Sequence, residues 1–196
     1  MLHTSYFTHL PLRPAAMHGF SAIEWMVVAA IVALLALLAA PRFTSMIESW
    51  RVQQTAKLLQ STLSYARSEA IKRGGQVSIQ KIANHTHGCT SASGNRDWDC
   101  GWIVCHDLDN DGACNADEPV LQRVDAPARV QVTRHGGGAS IKFNRWGLVN
   151  GAWPGFTLVP LGKNTSHPGA HGVCMGSGGR IRVIPHESIP CTAGRP

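Results

Sequence analysis

Sixteen apolar residues in a row, from Trp25 to Ala40, limit what this chain can become more than any other feature. A helix over that run rises about 1.5 Å per residue and reaches about 24 Å, slightly short of a bilayer core of about 30 Å. Phe20, Ala22 and Ile23 ahead of it make up most of the deficit. The run ends at Pro41-Arg42 with no small-x-small cleavage site, which argues against a removable secretory signal. Glu24, near its start, is a carboxylate at the membrane edge and needs a partner. Beyond Pro41 the apolar side chains continue at helical spacing in Val52, Ala56, Leu59, Leu63, Ala66 and Ala70. Arg51, Gln53, Lys57, Gln60, Ser64, Arg67 and Lys72 occupy the other faces. The pattern predicts one helix of about fifty residues, kinked at Pro41 and stopping near Gly74-Gly75, with Lys72 and Arg73 at its carboxyl end.

After Gly75 the period changes to two. Candidate strands cover 76–82, 101–106, 119–124, 129–134, 140–144, 156–161 and 180–184, separated by turn sequences such as Gly136-Gly137-Gly138 and Asn150-Gly151. One helix followed by strands, without alternation, predicts an α+β domain in which an antiparallel sheet packs on the second half of the helix. A chain of 196 residues, 44% hydrophobic, has room for one such core and hardly for two.

The segment Gly19-Phe20-Ser21-Ala22-Ile23-Glu24, with the apolar run and Pro41 behind it, resembles the leader and anchor of type IV prepilins and pseudopilins. The resemblance implies cleavage by a prepilin peptidase after Gly19, methylation of the new N-terminal Phe20, and pairing of Glu24 with the N-terminal amine of a neighbouring subunit during assembly. A pair of that kind tolerates desolvation only when both charges are present, so it reports correct register. The implied organisation is a leader at 1–19, a transmembrane and assembly half-helix at 20–41, an amphipathic half at 42–74, and a β-rich head at 75–196 with a basic C-terminal region. The fold that the resemblance implies is that of type IV pilins.

A narrower likeness covers nearly the whole chain. Arg51-Val52-Gln53, the stretch Ala66 to Arg73, Gly101-Trp102-Ile103-Val104, the acidic loop from Asp107 to Gly112, Glu118-Pro119-Val120-Leu121 and Phe143-Asn144-Arg145-Trp146-Gly147 are similar to the GspH/FimT group of minor pilins and pseudopilins. Gly179-Arg180-Ile181-Arg182 resembles the Gly-Arg-x-Arg motif of the FimT-like branch, whose members are implicated in DNA binding during natural transformation. The likeness implies an inner-membrane subunit with its head in the periplasm, later part of a surface pilus. Its partners would be DNA, other major and minor pilins, and the peptidase.

Charge points the same way independently. The formal charge of +6 hides a segment from Asp97 to Glu118 with seven acids and no Lys or Arg. From Pro119 onward, nine Lys and Arg stand against Asp125 and Glu187. A basic surface is the minimum for gripping phosphates, with salt-sensitive and nearly sequence-independent binding. On a strand, Arg180 and Arg182 share a face about 7 Å apart, with Ile181 and Val183 turned to the core. Lys163 and Arg195 are flanking candidates, with Arg145 further from the motif. The plainer reading is a solvated strand face. Two alternatives of other kinds stand beside DNA capture: a structural GspH-like pseudopilin of type II secretion that binds protein partners, and an adhesin using Trp98, Trp102, Trp146 and Trp153.

Two further constellations carry chemistry. Asp107, Asp109, Asp111, Gly112 and Glu118 fit the twelve-position calcium-loop pattern, with strands in place of the usual flanking helices and Cys114 inside the loop. A polar hairpin turn explains the same residues. Cys89, Cys100, Cys105, Cys114, Cys174 and Cys191 all follow the helix and suit an oxidising compartment. Six cysteines allow fifteen pairings. Nearest-neighbour closure would join Cys89 to Cys100, Cys105 to Cys114 and Cys174 to Cys191. Zinc sets such as His167, His171 and Cys174 lack the paired spacing of structural sites. No nucleophile has a base in evident reach, so neither an enzyme nor a resident cofactor is expected, calcium being the one ion that the pattern would take.

Overall fold

The computed structural model describes residues 21–191, without the side chains of 38–42. Gly19, Phe20 and Arg195 lie outside the described residues. The chain divides into two compact units, Met1–Pro41 and Arg42–Pro196. The helix α1 (Ala22–Arg73) belongs to both.

In the first unit, Ser21 and Glu24 form a capping box. The Glu24 N–H donates to Ser21 Oγ at 3.3 Å, and the Ser21 N–H donates to the Glu24 carboxylate at 3.4 Å. Two of the amides that a helix start leaves unsatisfied thereby find acceptors. The apolar side chains that follow are exposed as far as Leu37. Among the described residues no helix is long and apolar enough to cross a membrane.

In the second unit, Val52, Ala56, Leu59, Leu63, Ala66 and Ala70 are fully buried, forming the stripe that the 3.6-residue period marks out. They pack on eight strands: β1 (Val77–Lys81), β2 (Gly101–His106), β3 (Val120–Asp125), β4 (Val130–His135), β5 (Ser140–Phe143), β6 (Gly155–Pro160), β7 (His171–Met175) and β8 (Ile181–Pro185). These form two four-stranded antiparallel sheets, ordered β3-β2-β1-β5 and β4-β6-β7-β8.

The division into two sheets is not visible in the period-two pattern. At the β4–β5 connection the buried Arg134 guanidinium donates to the carbonyls of Gly138 and Ser140, fastening the corner where the chain leaves one sheet for the other. Burial pushes its pKa down to about 10. The guanidinium also lies 5.7 Å from the centroid of the Trp98 ring. Trp98 meets Phe156 edge to face at 5.1 Å. Trp98 and Trp102 are both fully buried, with the Trp102 indole N–H donating to Thr62 Oγ1 at 3.3 Å. An adhesive surface therefore cannot include them: these two indoles fill the junction of helix and sheets.

Candidate functional site

The basic end of the head is built where β7 turns into β8. Gly179 holds φ at +77°, a value that glycine adopts without strain, and the turn closes through Gly176 N–H to Arg180 O at 2.9 Å and Gly179 N–H to Gly176 O at 2.8 Å. Arg67 of α1 secures the turn from outside. Its guanidinium donates to the carbonyls of Gly179 at 2.6 Å and Gly178 at 3.4 Å. A Cβ at Gly179 would stand 2.6 Å from Arg67 Cζ and displace the guanidinium, but it is the positive φ that favours glycine there. One residue on, Gln60 of the same helix donates to the carbonyl of Ile181 at 3.2 Å. Ser64, Arg67, Ser68, Ile71, Gly179, Arg180 and Ile181 line the resulting groove, with no carboxylate among them.

Arg180 is exposed and is the last residue of the turn; β8 begins only at Ile181. Arg182 is half-buried and pairs in register with Cys174, while Ile181 and Val183 pack against the core, so the alternation expected of Arg182 is present one residue inside the strand. Arg145 is exposed in the turn after β5. That turn meets the same helix end: a Cβ at Gly147 would fall 2.6 Å from Arg67 Cγ, and one at Gly75 would fall 3.3 Å from the Arg145 amide nitrogen. Arg67 thus stands between the turns that carry Arg145 and Arg180.

Lys163 is exposed on the β6–β7 connection, at the other end of the second sheet. That connection reaches α1 at Ser49, where a Cβ on Gly169 would collide. Ser49 and Arg67 are separated by about 27 Å at 1.5 Å per residue, so Lys163 is not brought beside Arg180. Two other cations of the basic region are engaged within the head. Arg134 is in the core, and Arg123 pairs with Asp125 at 2.8 Å.

Arg67 is the residue that periodicity passes over. Its helical position assigns it a polar face, whereas its partners lie more than a hundred residues away. The small Ala66 and Ala70 beside it, which let another backbone come close, are the signal that could have marked it.

The acidic segment is not one patch. Asp99 accepts from the Val132 N–H at 2.5 Å, and burial raises its carboxyl above the usual range despite that bond. Asp97, also ahead of β2, accepts from the Gly94 N–H at 2.8 Å, and the other five acids gather in the β2–β3 loop. Asp107 is fully buried, and its Oδ2 accepts from Ser78 Oγ at 2.8 Å and the Gly112 N–H at 2.9 Å. Glu118 is buried as well, with one carboxylate oxygen accepting from the Leu108 N–H at 2.6 Å and the other from the Asn115 N–H at 2.8 Å. Carboxylate oxygens of Asp107, Asp109 and Glu118 all lie within 4.8 Å of one another. Asp111 stays outside that group, held on the surface by the Ala113 N–H at 2.7 Å and Asn115 Nδ2 at 3.2 Å. Those bonds, with nearby Lys142 assisting, keep its carboxyl below the usual range.

The sulfurs are joined as Cys89–Cys100, Cys105–Cys114 and Cys174–Cys191. Cys174 is thereby withdrawn from the zinc set with His167 and His171. Cys105–Cys114 pins the acidic loop to β2, and Cys174–Cys191 returns the tail to the strand beside Arg182.

A long helix whose carboxyl half packs on antiparallel strands is the fold of minor pilins and pseudopilins. The type IV minor pilin FimU of Pseudomonas aeruginosa, in two crystal forms, has this fold, with 23% identity and TM-scores of 0.53 and 0.55. The match covers 71% and 72% of this chain and 98% and 93% of FimU. The minor pseudopilin EpsH of the Vibrio cholerae type 2 secretion system is matched at 12% identity and TM-score 0.47, over 69% of this chain and 97% of its own. No curated protein matches the sequence. Residues 55–181 match the family model of the type II transport protein GspH, and the chain belongs to that family.

Proposed function

We propose that this minor pilin is of the FimT-like kind and that its head binds double-stranded DNA, without sequence preference, for uptake in natural transformation. The observation that carries the reading is the groove at the β7–β8 turn, where exposed Arg180 borders a surface with no carboxylate in its lining. Arg182 on β8 and Arg145 on the neighbouring turn extend the cationic surface, and Arg195 follows four residues after Cys191, which is anchored to Cys174. A surface of this kind recognises the phosphate backbone through charge. Arg67 acts as a positioning residue: it fixes the turn before DNA arrives, which limits the entropy lost on binding.

The other assignments follow from the family. The peptidase cuts after Gly19 and methylates Phe20, Glu24 exchanges its local cap for the amine of a neighbouring subunit, and the chain joins other pilins in a fibre after residence in the inner membrane. Movement of captured DNA is then the work of the fibre. In the second reading, favoured by the match to a type II transport family, the same head binds protein partners and leaves DNA alone. A gel-shift titration of the full chain in detergent with a duplex of arbitrary sequence separates the two. A shift at low salt that disappears at high salt supports DNA capture, and no shift at low salt contradicts it.

A further inference from the structure

We infer that the β2–β3 loop, residues 107–118, is a Ca²⁺ site formed by the carboxylates of Asp107, Asp109 and Glu118. Three carboxylates are drawn into one small volume, with an oxygen of each within 4.8 Å of the others. The independent observation is Asp107 Oδ1. Asp107 is 0% exposed, its Oδ2 is occupied by Ser78 and Gly112, and Oδ1 has no hydrogen-bond partner. A buried carboxylate oxygen without a donor lacks the compensation that folding normally supplies, and a metal ion supplies it. Each Glu118 oxygen receives one backbone N–H and keeps a second lone pair for a ligand bond.

The donor set selects the ion. Ca²⁺ takes about six to eight hard oxygens in flexible geometry, as a loop with carboxylates at its first, third and twelfth positions and glycine at the sixth supplies, whereas Mg²⁺ demands a near-ideal octahedron and keeps most of its waters. The loop already has the shape for the task. Gly112, at the sixth position of the pattern, sits at φ +89°, and Cys105–Cys114 and the Ser78 hydroxyl anchor the loop to β2 and β1. Asn115, at the ninth position, touches the Asp109 carboxylate through Nδ2 at 3.3 Å; turning its amide would present an oxygen instead. The flanking strands thus do what helices do around other loops of this pattern. Lys142, which donates to the Asn110 carbonyl, is the cation that stands against the loop, and it touches none of the three ligands in the structure.

The test is calorimetric titration of the chelator-treated full chain in detergent with CaCl₂, with MgCl₂ in parallel, together with thermal unfolding in both salts. The expected result is one saturable Ca²⁺ site with Kd on the order of 10⁻⁴ to 10⁻³ M, as in extracellular modules, and a higher unfolding midpoint in Ca²⁺ than in Mg²⁺. Asp107→Asn alters a buried hydrogen-bonded group and could unfold the loop, so the diagnostic variant is Asp109→Asn, whose side chain is exposed. It should weaken Ca²⁺ binding by about tenfold or more and abolish the midpoint difference, since affinity follows ligand charge. Absence of heat and of any midpoint shift at about 10 mM Ca²⁺ overturns the site. Equal affinity in Asp109→Asn overturns the ligand assignment.

Discussion

Arg67 and His135 show how much of this head depends on single polar side chains. Arg67 donates to two carbonyls of the turn that presents Arg180, and bonds from a charged donor are each worth about 1.5–3 kcal/mol. Arg67→Met should lower DNA affinity severalfold by loosening the turn, yet leave the salt dependence of binding nearly unchanged because no phosphate contact is lost. A salt slope reduced by about one would instead make Arg67 a direct contact. His135 approaches Thr157 Oγ1 at 2.6 Å, and burial, followed by the charge of Arg96, lowers its pKa from 6.5. The unfolded chain therefore binds the proton more readily, so the stability contributed by neutral His135 is complete above about pH 6.5 and is lost as pH falls through the lower folded value. Between about pH 7.5 and pH 5 the unfolding midpoint of the native chain should fall further than that of His135→Gln; parallel falls would contradict this. Neither role can be read from periodicity, which assigns a face to a residue but no distant partner.

At the level of elements, legibility followed the strength of the pattern. The stripe from Val52 to Ala70 is buried throughout because an amphipathic period of that length leaves a helix only one face to bury. The strand β7 escapes sequence reading because His171-Gly172 opens it with residues of low strand preference. It exists through its neighbours, pairing with β6 on one side and β8 on the other. The missing strand also concealed the second sheet, and with it the separation of Lys163 from Arg180. The tail is legible only through its sulfur chemistry: Cys174–Cys191 closes a loop of sequence separation 17 over β8. Replacing both cysteines with serine should cost about 3 kcal/mol, a fall in unfolding midpoint of roughly 6–12 °C in a calorimetric scan. An unchanged midpoint would mean that packing alone holds the tail.

Over the whole molecule, charge is sorted by position in the fold more than by position in the chain. The acidic run separates into Asp97 and Asp99, which accept backbone N–H groups of Gly94 and Val132, and the loop cluster of Asp107, Asp109 and Glu118. The basic C-terminal region loses Arg134 to the core and Arg123 to a surface ion pair, while exposed Arg145 and Arg180 stand on turns that meet α1 and Arg182 lies on β8. Linear charge counting could not separate these sets, because burial and pairing are properties of the tertiary structure. Whether this surface grips phosphates is measured directly by the DNA affinity of the full chain across a salt series, with and without Arg180→Ala and Arg182→Ala together. Affinity should fall steeply with salt in the native chain, and the double variant should show a log–log slope shallower by about two, with much weaker binding at low salt. Equal affinity and equal slope in the two proteins would contradict phosphate contact by these arginines.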